Sequence, residues 1–247
     1  MTINSNTKQY LSLGLLLFSL SVSFKARTED MNREQLARQA LATAIDDVKA
    51  RLAKIGANQR LSYLKTKDDN EGTVRTSRYT PTSQTAGEWW AEDRKGSDNN
   101  TEQKRWDDDA LLTLESSDLS QAVYKSEDKN AWLFDMPSQV QLNVDSETAS
   151  QEKKEELEGV FRTEMRVAKS NSRFESFRLY SVKPFSPGFA VKIKRFEQVN
   201  ELAPAWPDGP LVTIKQEERV KGTIGFLVGI DDQTSVTNSE FELIKIN

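Results

Sequence analysis

The stretch that decides the fold runs from Gly159 to Phe196 and reads GVFRTEMRVAKSNSRFESFRLYSVKPFSPGFAVKIKRF. Apolar residues alternate with charged ones along it, so that Phe161, Met165 and Val167 share one parity and the charged residues between them share the other. Alternation with a period of two places one set on a buried face and the other in water. Short turns interrupt the pattern. The stretch therefore predicts an antiparallel sheet with one apolar face.

A single long helix precedes the strands. Residues Met31 to Ile55 are rich in good helix formers, and Gly56 is suited to ending the helix. We expect its apolar stripe to pack on the sheet; the alternative is a free amphipathic helix that binds a membrane or a partner. The fold class is therefore α+β: an antiparallel, strongly curved sheet or incomplete β-barrel with an N-terminal helix packed against it. The residues of the stripe are Leu36, Ala40, Leu41, Ala44, Ile45, Val48, Leu52 and Ile55.

Further strands are expected on both sides of the opening stretch. Two short strands lie within residues 60–79, and a turn at 68–72 separates them. Asp107 to Asp109 suit the first turn of a short helix that continues over 110–114. A turn is predicted at 184–188 and a rigid, proline-rich loop at 203–210. The other predicted strands are residues 122–124, 131–136, 139–144, 211–214, 220–228 and 241–246.

Residues Thr80 to Asp109 have the least regular pattern and predict a mobile flap. They include Trp89, Trp90 and Trp106, and each indole side chain has about 200 Å² of surface to bury. We expect these indoles to anchor the flap on the sheet. The alternative is that they line the mouth of a ligand or lipid site.

Composition removes several classes of chemistry. The chain of 247 residues contains no Cys and no His, which excludes disulfides, thiol catalysis, a Ser-His-Asp triad and imidazole metal ligands. The net charge of −4, without a concentrated basic stripe, argues against nucleic acid as a partner. Two Ser-x-x-Lys matches, Ser62 to Lys65 and Ser126 to Lys129, lack the supporting residues of a catalytic dyad. We therefore expect no enzyme, no metal and no cofactor; a carboxylate-based hydrolase is the enzymatic alternative.

The N-terminal residues are typical of a targeting segment. Leu11 to Val22 is a run of about a dozen mostly apolar residues, too short to span a bilayer and suited to a secretory signal peptide. Small residues favour cleavage after Ser23, with Ala26 as the second choice. We expect residues 1–26 to be the signal peptide and residues 27–247 to form one domain; the alternatives are a retained anchor or a short buried helix. Because no Cys follows the run to carry a lipid, this predicts a soluble, exported, periplasmic protein that does not span the membrane once mature.

Three segments add a family resemblance. They are Arg78 to Pro81 followed by Trp89-Trp90, then Trp132 to Ser138, and the run Arg178 to Phe196. With one helix and many antiparallel strands behind a signal peptide, the chain resembles the LolA/LolB-like lipoprotein-carrier superfamily of Gram-negative cell envelopes. The resemblance implies an unclosed half-barrel whose concave side is capped by helices and binds acyl chains. Members of the LolB type carry a lipid-attached Cys that this chain lacks.

The predicted function follows from a surplus of apolar sheet. A sheet of roughly eight to eleven strands has a wide apolar face that one helix covers only in part, so loops, a ligand or a partner must close the rest. We expect a periplasmic protein that binds a lipid, acyl chain or lipoprotein on the concave face. The alternative is an envelope protein–protein interaction or scaffold module with no small ligand, which uses an exposed strand edge or the Trp-bearing flap. The candidate lining residues are Phe134, Phe161, Met165, Phe177, Leu179, Phe189, Val191 and Ile193.

Overall fold

The computed structural model describes residues 31–69, 72–81, 88–91, 110–112, 119–138, 159–188, 190–225 and 228–245. Within these ranges the chain forms a long helix, α1, over residues 31–52 and a short 3-10 helix at Leu119–Gln121. The predicted signal peptide, the strand expected at 139–144, Asp107 to Asp109, Trp106 and Phe189 lie outside the described residues. The strands are β1 (Gln59–Asp68), β2 (Val74–Thr80), β3 (Glu88–Ala91), β4 (Val123–Glu127), β5 (Ala131–Ser138), β6 (Phe161–Ala168), β7 (Phe174–Ser181), β8 (Phe185–Gly188), β9 (Val191–Pro204), β10 (Leu211–Ile224) and β11 (Val228–Lys245).

These strands form an 11-stranded sheet in the order β3-β2-β1-β11-β10-β9-β7-β6-β5-β4, and β8 pairs with β9 beside this path. Each pairing is antiparallel. In the part of the chain that the structure describes, β3 and β4 end the path without pairing to each other, so the sheet is not closed. The predicted class is confirmed: the fold is α+β, with a curved, unclosed antiparallel sheet and an N-terminal helix.

Helix α1 packs on one face of the sheet, which we call the inner face. Small residues dominate its buried side, and they let the helix approach the strands closely. The predicted stripe is confirmed except at its two ends: Leu36 is 49% exposed, and Ile55 lies beyond the helix, which ends at Leu52. Each residue turns a helix by about 100°, so a stripe centred on Ala37 leaves Leu36 at its margin. The buried helix residues are Ala37, Ala40, Leu41, Ala44 and Val48.

A buried arginine ties the end of α1 to the loop between β9 and β10. Arg51 is 4% exposed. Its Nε donates to Asp47 Oδ2 at 2.7 Å, and its Nη1 donates to the Gly209 carbonyl at 2.7 Å. The guanidinium is therefore buried with charge-assisted hydrogen bonds at both ends, which offset its loss of hydration.

The first aromatic pair of the expected flap lies in the sheet. Glu88–Ala91 forms the edge strand β3, with Trp89 opposite Tyr79 and Trp90 opposite Arg78 of β2. The prediction of an irregular backbone is wrong for these residues. Pairing with β2 decides their conformation, although polar neighbours hide the short strand in the sequence pattern.

The helix predicted after Asp109 is wrong for its described residues, 110–112. The Thr213 amide donates to the Ala110 carbonyl at 2.7 Å, and Leu111 forms an isolated antiparallel bridge with Val212. These residues are therefore extended alongside β10. A long-range strand contact overrides the local helix signal, which depends only on neighbouring residues.

The last strands are longer than the pattern predicts. β10 and β11 are continuous over 14 and 18 residues, where the pattern predicts three short strands, and β9 also spans 14 residues. The segments that the pattern misses, residues 197–201, 215–219 and 229–235, are largely polar on both faces, so no apolar alternation marks them. The predicted turn at 184–188 also contains a short strand, Phe185–Gly188, which pairs with β9.

Candidate functional site on the inner face

The part of the inner face beneath α1 is packed by the helix. Phe134 and Met165 have no exposed surface, and Phe177 is partly buried beside them. The three lie opposite one another in register on β5, β6 and β7. Tyr124 lies edge-on to Phe134, with ring centroids 6.2 Å apart. These predicted lining residues therefore form the core beneath the helix. A candidate ligand surface on the inner face is restricted to the part that α1 does not cover.

A second group of predicted lining residues lies beyond α1, in what we call the distal apolar cluster. Phe161 is at its centre, with its ring centroid 4.9 Å from that of Phe185 and 5.9 Å from that of Phe196. No described residue of α1 belongs to this cluster. Its partly buried members therefore present apolar surface that the helix leaves uncovered. The buried members are Val160, Phe161, Phe185 and Ile193, and the partly buried ones are Leu179, Val191, Phe196, Val220 and Ile230.

Polar side chains occupy the centre of the inner face. Register places Gln198, Glu218 and Thr234 in the same row as Leu179 of β7. A parallel row contains Asn200, Gln216, Val236 and Lys67 across β9, β10, β11 and β1. The wide apolar face that the alternation predicts is thus interrupted by a polar centre. We call this centre the inner polar strip; its members are Lys67, Gln198, Asn200, Gln216, Glu218 and Thr234.

Glu218 is the half-buried carboxylate of the inner polar strip. The residue is half-buried, and this burial raises the pKa of its carboxyl, while Lys67 acts in the opposite direction. Among the described residues, no basic side chain forms an ion pair with Glu218. Glu218 is therefore a half-buried acceptor whose charge is not neutralised by contact.

A second acceptor without a partner lies further along the same face. Asn238 on β11 is 6% exposed and lies opposite Lys65 of β1. Its Nδ2 donates to the Thr213 carbonyl at 2.8 Å, at the bulge of β10. Its Oδ1 has no hydrogen-bond partner in the described structure. The amide therefore stabilises the bulge with one end and leaves an acceptor at the other.

The outer face has the opposite arrangement, because its carboxylates pair with basic side chains. Glu217, the neighbour of Glu218 in β10, lies 2.7 Å from Lys215 Nζ, and this hydrogen bond lowers the pKa of Glu217. The Lys and Arg residues of this face thus form a solvated face of ion pairs, as the alternation predicts, whereas Lys67 lies on the inner face. Pairs that join strands across this face are Lys125–Glu164, Arg162–Asp135, Arg178–Glu197 and Lys221–Asp231.

The sequence-predicted residues are therefore divided among separate places. Of the remaining lining candidates, Leu179, Val191 and Ile193 lie with Phe161 in the distal apolar cluster, whereas Phe189 is outside the described residues. Of the mouth candidates, Trp89 and Trp90 lie in the edge strand β3. Sequence reasoning missed Glu218 and its neighbours, since only the pairing of β9, β10 and β11 places these polar residues on the inner face.

The inner face offers apolar surface beside hydrogen-bonding groups. The described residues contain no group of three or more acidic side chains arranged to hold a metal ion. In the same part of the chain, no helix is long and apolar enough to cross a membrane. The arrangement suits a ligand that has both an apolar and a polar part, because the distal apolar cluster adjoins the row of Gln198 and Glu218.

The class that these elements define is an α+β fold with an unclosed antiparallel sheet and one long helix on its inner face. No protein-family model and no curated protein sequence matches the chain. Among solved structures, the chain is similar to the crystal structure of a LolA superfamily protein from Nitrosomonas europaea. The TM-score is 0.35 and the identity 10%, over 85% of this chain and 93% of that one.

Proposed function

We propose that this protein is a non-enzymatic binding protein that holds the apolar part of a lipid, an acyl chain or a lipoprotein on the inner face of its sheet. In this proposal residues 1–26 direct export, and the mature chain acts as a soluble periplasmic protein of the cell envelope. The observation that carries the proposal is the distal apolar cluster, which lies on the inner face beyond α1.

The distal apolar cluster provides surface on which an acyl chain is buried. Leu179, Val191 and Val220 are among its partly buried members. Each methylene removed from water contributes about 0.8 kcal/mol. A chain laid over several of these side chains therefore gains several kcal/mol, which offsets part of the entropy lost on binding. The polar row next to the cluster favours an amphiphile over a pure hydrocarbon.

The first test is extraction of the protein as cells make it. The full chain is produced with its N-terminal residues, purified from the periplasm without detergent and extracted with organic solvent. We expect mass spectrometry to detect an acyl-containing molecule in stoichiometric amount. An empty extract, together with no binding of a fluorescent fatty acid by the purified protein, would overturn the proposal.

A matched pair of variants locates the site. Leu179→Asn introduces a polar group into the distal apolar cluster, whereas Val182→Asn alters a residue three positions later that is 50% exposed outside it. We expect the first variant to bind the fluorescent fatty acid about 10-fold more weakly and the second to match the parent. Circular dichroism confirms that both are folded. Equal affinities would place the ligand elsewhere.

A second candidate function rests on the edge of the sheet. β3 ends the strand order, so one side of it is unpaired within the described residues, and an extended segment of an envelope protein can add to such an edge. Crosslinking in cells through a photoreactive residue at position 91 tests this scaffold function. A specific protein adduct, combined with an empty lipid extract, would favour it over ligand binding.

A further inference from the structure

We propose that the inner polar strip, with the carboxylate of Glu218 at its centre, recognises the cationic head group of an amphiphile whose chain lies on the distal apolar cluster. This rests on the proposed function, since it assigns the polar part of the same ligand. The head group is a primary ammonium or a similar cation with hydrogen-bond donors. An anionic or a neutral head is an alternative outcome of the test below.

The strip and the cluster are continuous on one face. Leu179 lies opposite Gln198 on β9, and Gln198 lies opposite Glu218 on β10. Adjacent strands are about 4.8 Å apart, so Glu218 is about 10 Å from Leu179. Val220 lies two positions along β10 on the same face and belongs to the cluster. Two positions along a strand are about 7 Å, so the head and the first part of a chain fit between them.

The chemistry of Glu218 favours a cation. A half-buried carboxylate costs free energy unless a positive charge compensates it. On the outer face, basic residues of this chain provide that compensation; Glu217 has Lys215 at 2.7 Å. Within the described residues Glu218 has no such partner. An ammonium supplies both the charge and three donors, which the carboxylate and the flanking Gln198 and Thr234 can accept.

By register, the charged residues near Glu218 on the inner face are Lys65 and Lys67 of β1, Arg75 of β2 opposite Lys67, and Asp232 of β11. Lys67 on β1 lies opposite Val236, and its exposed ammonium influences Glu218 from a distance without an ion pair. Asp232 on β11 lies opposite Val220, on the inner face beside the row of Glu218. On β9 the facing residue is the uncharged Gln198. Asp232, two positions from Thr234 along β11, is a second carboxylate on this side of the strip, while Lys67 lies two strands away from Glu218 on β1.

Protonation of Glu218 competes with the cation. Burial raises the pKa of this carboxyl, so protonation removes its charge at a less acidic pH than for an exposed glutamate. Binding of an ammonium ion favours the ionised form and releases a proton wherever the site is partly protonated. The affinity for a cationic amphiphile should therefore fall as pH falls through the raised pKa. The affinity for a neutral amphiphile should change little over the same range.

The experiment compares three single-chain amphiphiles with the same tail, each below its micelle concentration. They are dodecylamine, dodecyl maltoside and dodecyl phosphate, and each displaces the fluorescent fatty acid from the purified mature protein. We expect dodecylamine to bind about 10-fold more tightly than dodecyl maltoside, the gain of a charge-assisted hydrogen bond. Glu218→Gln should abolish this preference, and Glu217→Gln, one residue away on the outer face, should keep it.

A second variant keeps the test decisive if Glu218→Gln does not fold. Thr234 lies directly opposite Glu218, so Thr234→Lys places a resident ammonium beside the carboxylate. It should remove the preference for dodecylamine, so that this amphiphile and dodecyl maltoside bind the variant with affinities within about 2-fold of each other. Tighter binding of dodecyl phosphate would assign the head site to Lys67 and overturn the inference. Equal binding of the three amphiphiles would overturn it and leave the proposed function standing, whereas binding of none would overturn both.

Discussion

Glu217 and Glu218 follow one another in β10, yet the pKa values of their carboxyls shift in opposite directions. Glu217 faces outward, where a hydrogen bond from Lys215 lowers its pKa. Glu218 faces inward, where burial raises its pKa. Because successive side chains of a strand point to opposite faces, one step along the chain separates a paired carboxylate from an unpaired one. The two residues are therefore matched probes of the two faces of the sheet.

The first prediction concerns the pH dependence of stability. The raised pKa of Glu218 means that the folded state disfavours the ionised carboxylate. This penalty is present above the folded pKa and disappears as pH falls below the ordinary value of 4.5. Glu218→Gln should therefore raise Tm at pH 7 and match the parent below pH 4.5. Thermal unfolding followed by circular dichroism between pH 4 and pH 8 measures the difference.

Glu217→Gln is the control, and its effect has the opposite sign. The lowered pKa of Glu217 contributes stability that is present above 4.5 and is lost as pH falls through the lowered value. Its removal should lower Tm slightly at pH 7, with the difference closing in acid. If Glu218→Gln lowered Tm at pH 7 as well, the inward carboxylate would be stabilised by a partner and not penalised.

A second prediction separates core from ligand surface. Phe134 is fully buried beneath α1, so Phe134→Ala should cost about 3–5 kcal/mol in the free energy of unfolding. Urea denaturation measures the loss. Val123→Thr, at a position 55% exposed in the neighbouring strand, should stay within about 0.5 kcal/mol of the parent. A small loss for Phe134→Ala, accompanied by weaker binding of the fluorescent fatty acid, would instead place Phe134 in the ligand surface.

A third prediction tests the close approach of β9 and β10. A Cβ added at Gly222 would lie 2.4 Å from the backbone carbonyl oxygen of Lys192, so Gly222→Ala must move backbone. We expect it to destabilise the fold by about 1–3 kcal/mol. Gly229→Ala, where an added Cβ meets nothing within 4 Å, should change stability by no more than about 0.5 kcal/mol. Equal stability of the two variants in urea would rule out this contact.

A fourth prediction concerns the turn between β4 and β5. The Asp128 carboxylate accepts hydrogen bonds from the amides of Asn130 and Ala131 and from Arg166, which lowers its pKa to about 2. The turn should therefore keep its carboxylate-dependent stability above the ordinary value of 3.8 and lose it as pH falls towards 2. A carboxyl-carbon NMR titration measures the midpoint. Arg166→Gln should raise it only in part, because the amide of Asn130 has the largest effect; an unchanged midpoint would exclude the Arg166 contact.

Much of the fold follows from local patterns in the chain. The alternation around Phe161, Met165 and Val167 predicts β6 and its buried face, and each of the three is buried. The stripe of α1 is predictable for the same reason, since burial of one side imposes a period of 3.6 residues on a helix. These patterns indicate which side of a helix or strand is buried, and they do not depend on which element packs against that side.

The candidate site needs more than such patterns. Residues 197–201 and 215–219 are polar on both faces, so neither their strand conformation nor the inward side of Glu218 is visible in the alternation. Their neighbours, Gln198 opposite Glu218 and Thr234 beyond it, are set by register between strands. The bulge between Thr213 and Lys215 shifts the register of β10 against β9. The local sequence pattern does not predict this bulge. The polar centre of the inner face was therefore not predictable from composition or period.

The stretch from Gly159 to Phe196 by itself predicted an antiparallel sheet with one apolar side. In a strand with one buried face, successive side chains alternate between that face and water, so apolar and polar residues alternate in the sequence. Only the tertiary structure decided what lies on that side at each point. It pairs Gln59 of the first strand with Lys245 of the last. It also lays α1 over Phe134 and Met165 and leaves Leu179 and Glu218 in one row beyond the helix. Such neighbours depend on long-range pairing, whose free energy is shared by the whole sheet and is not encoded in any single segment.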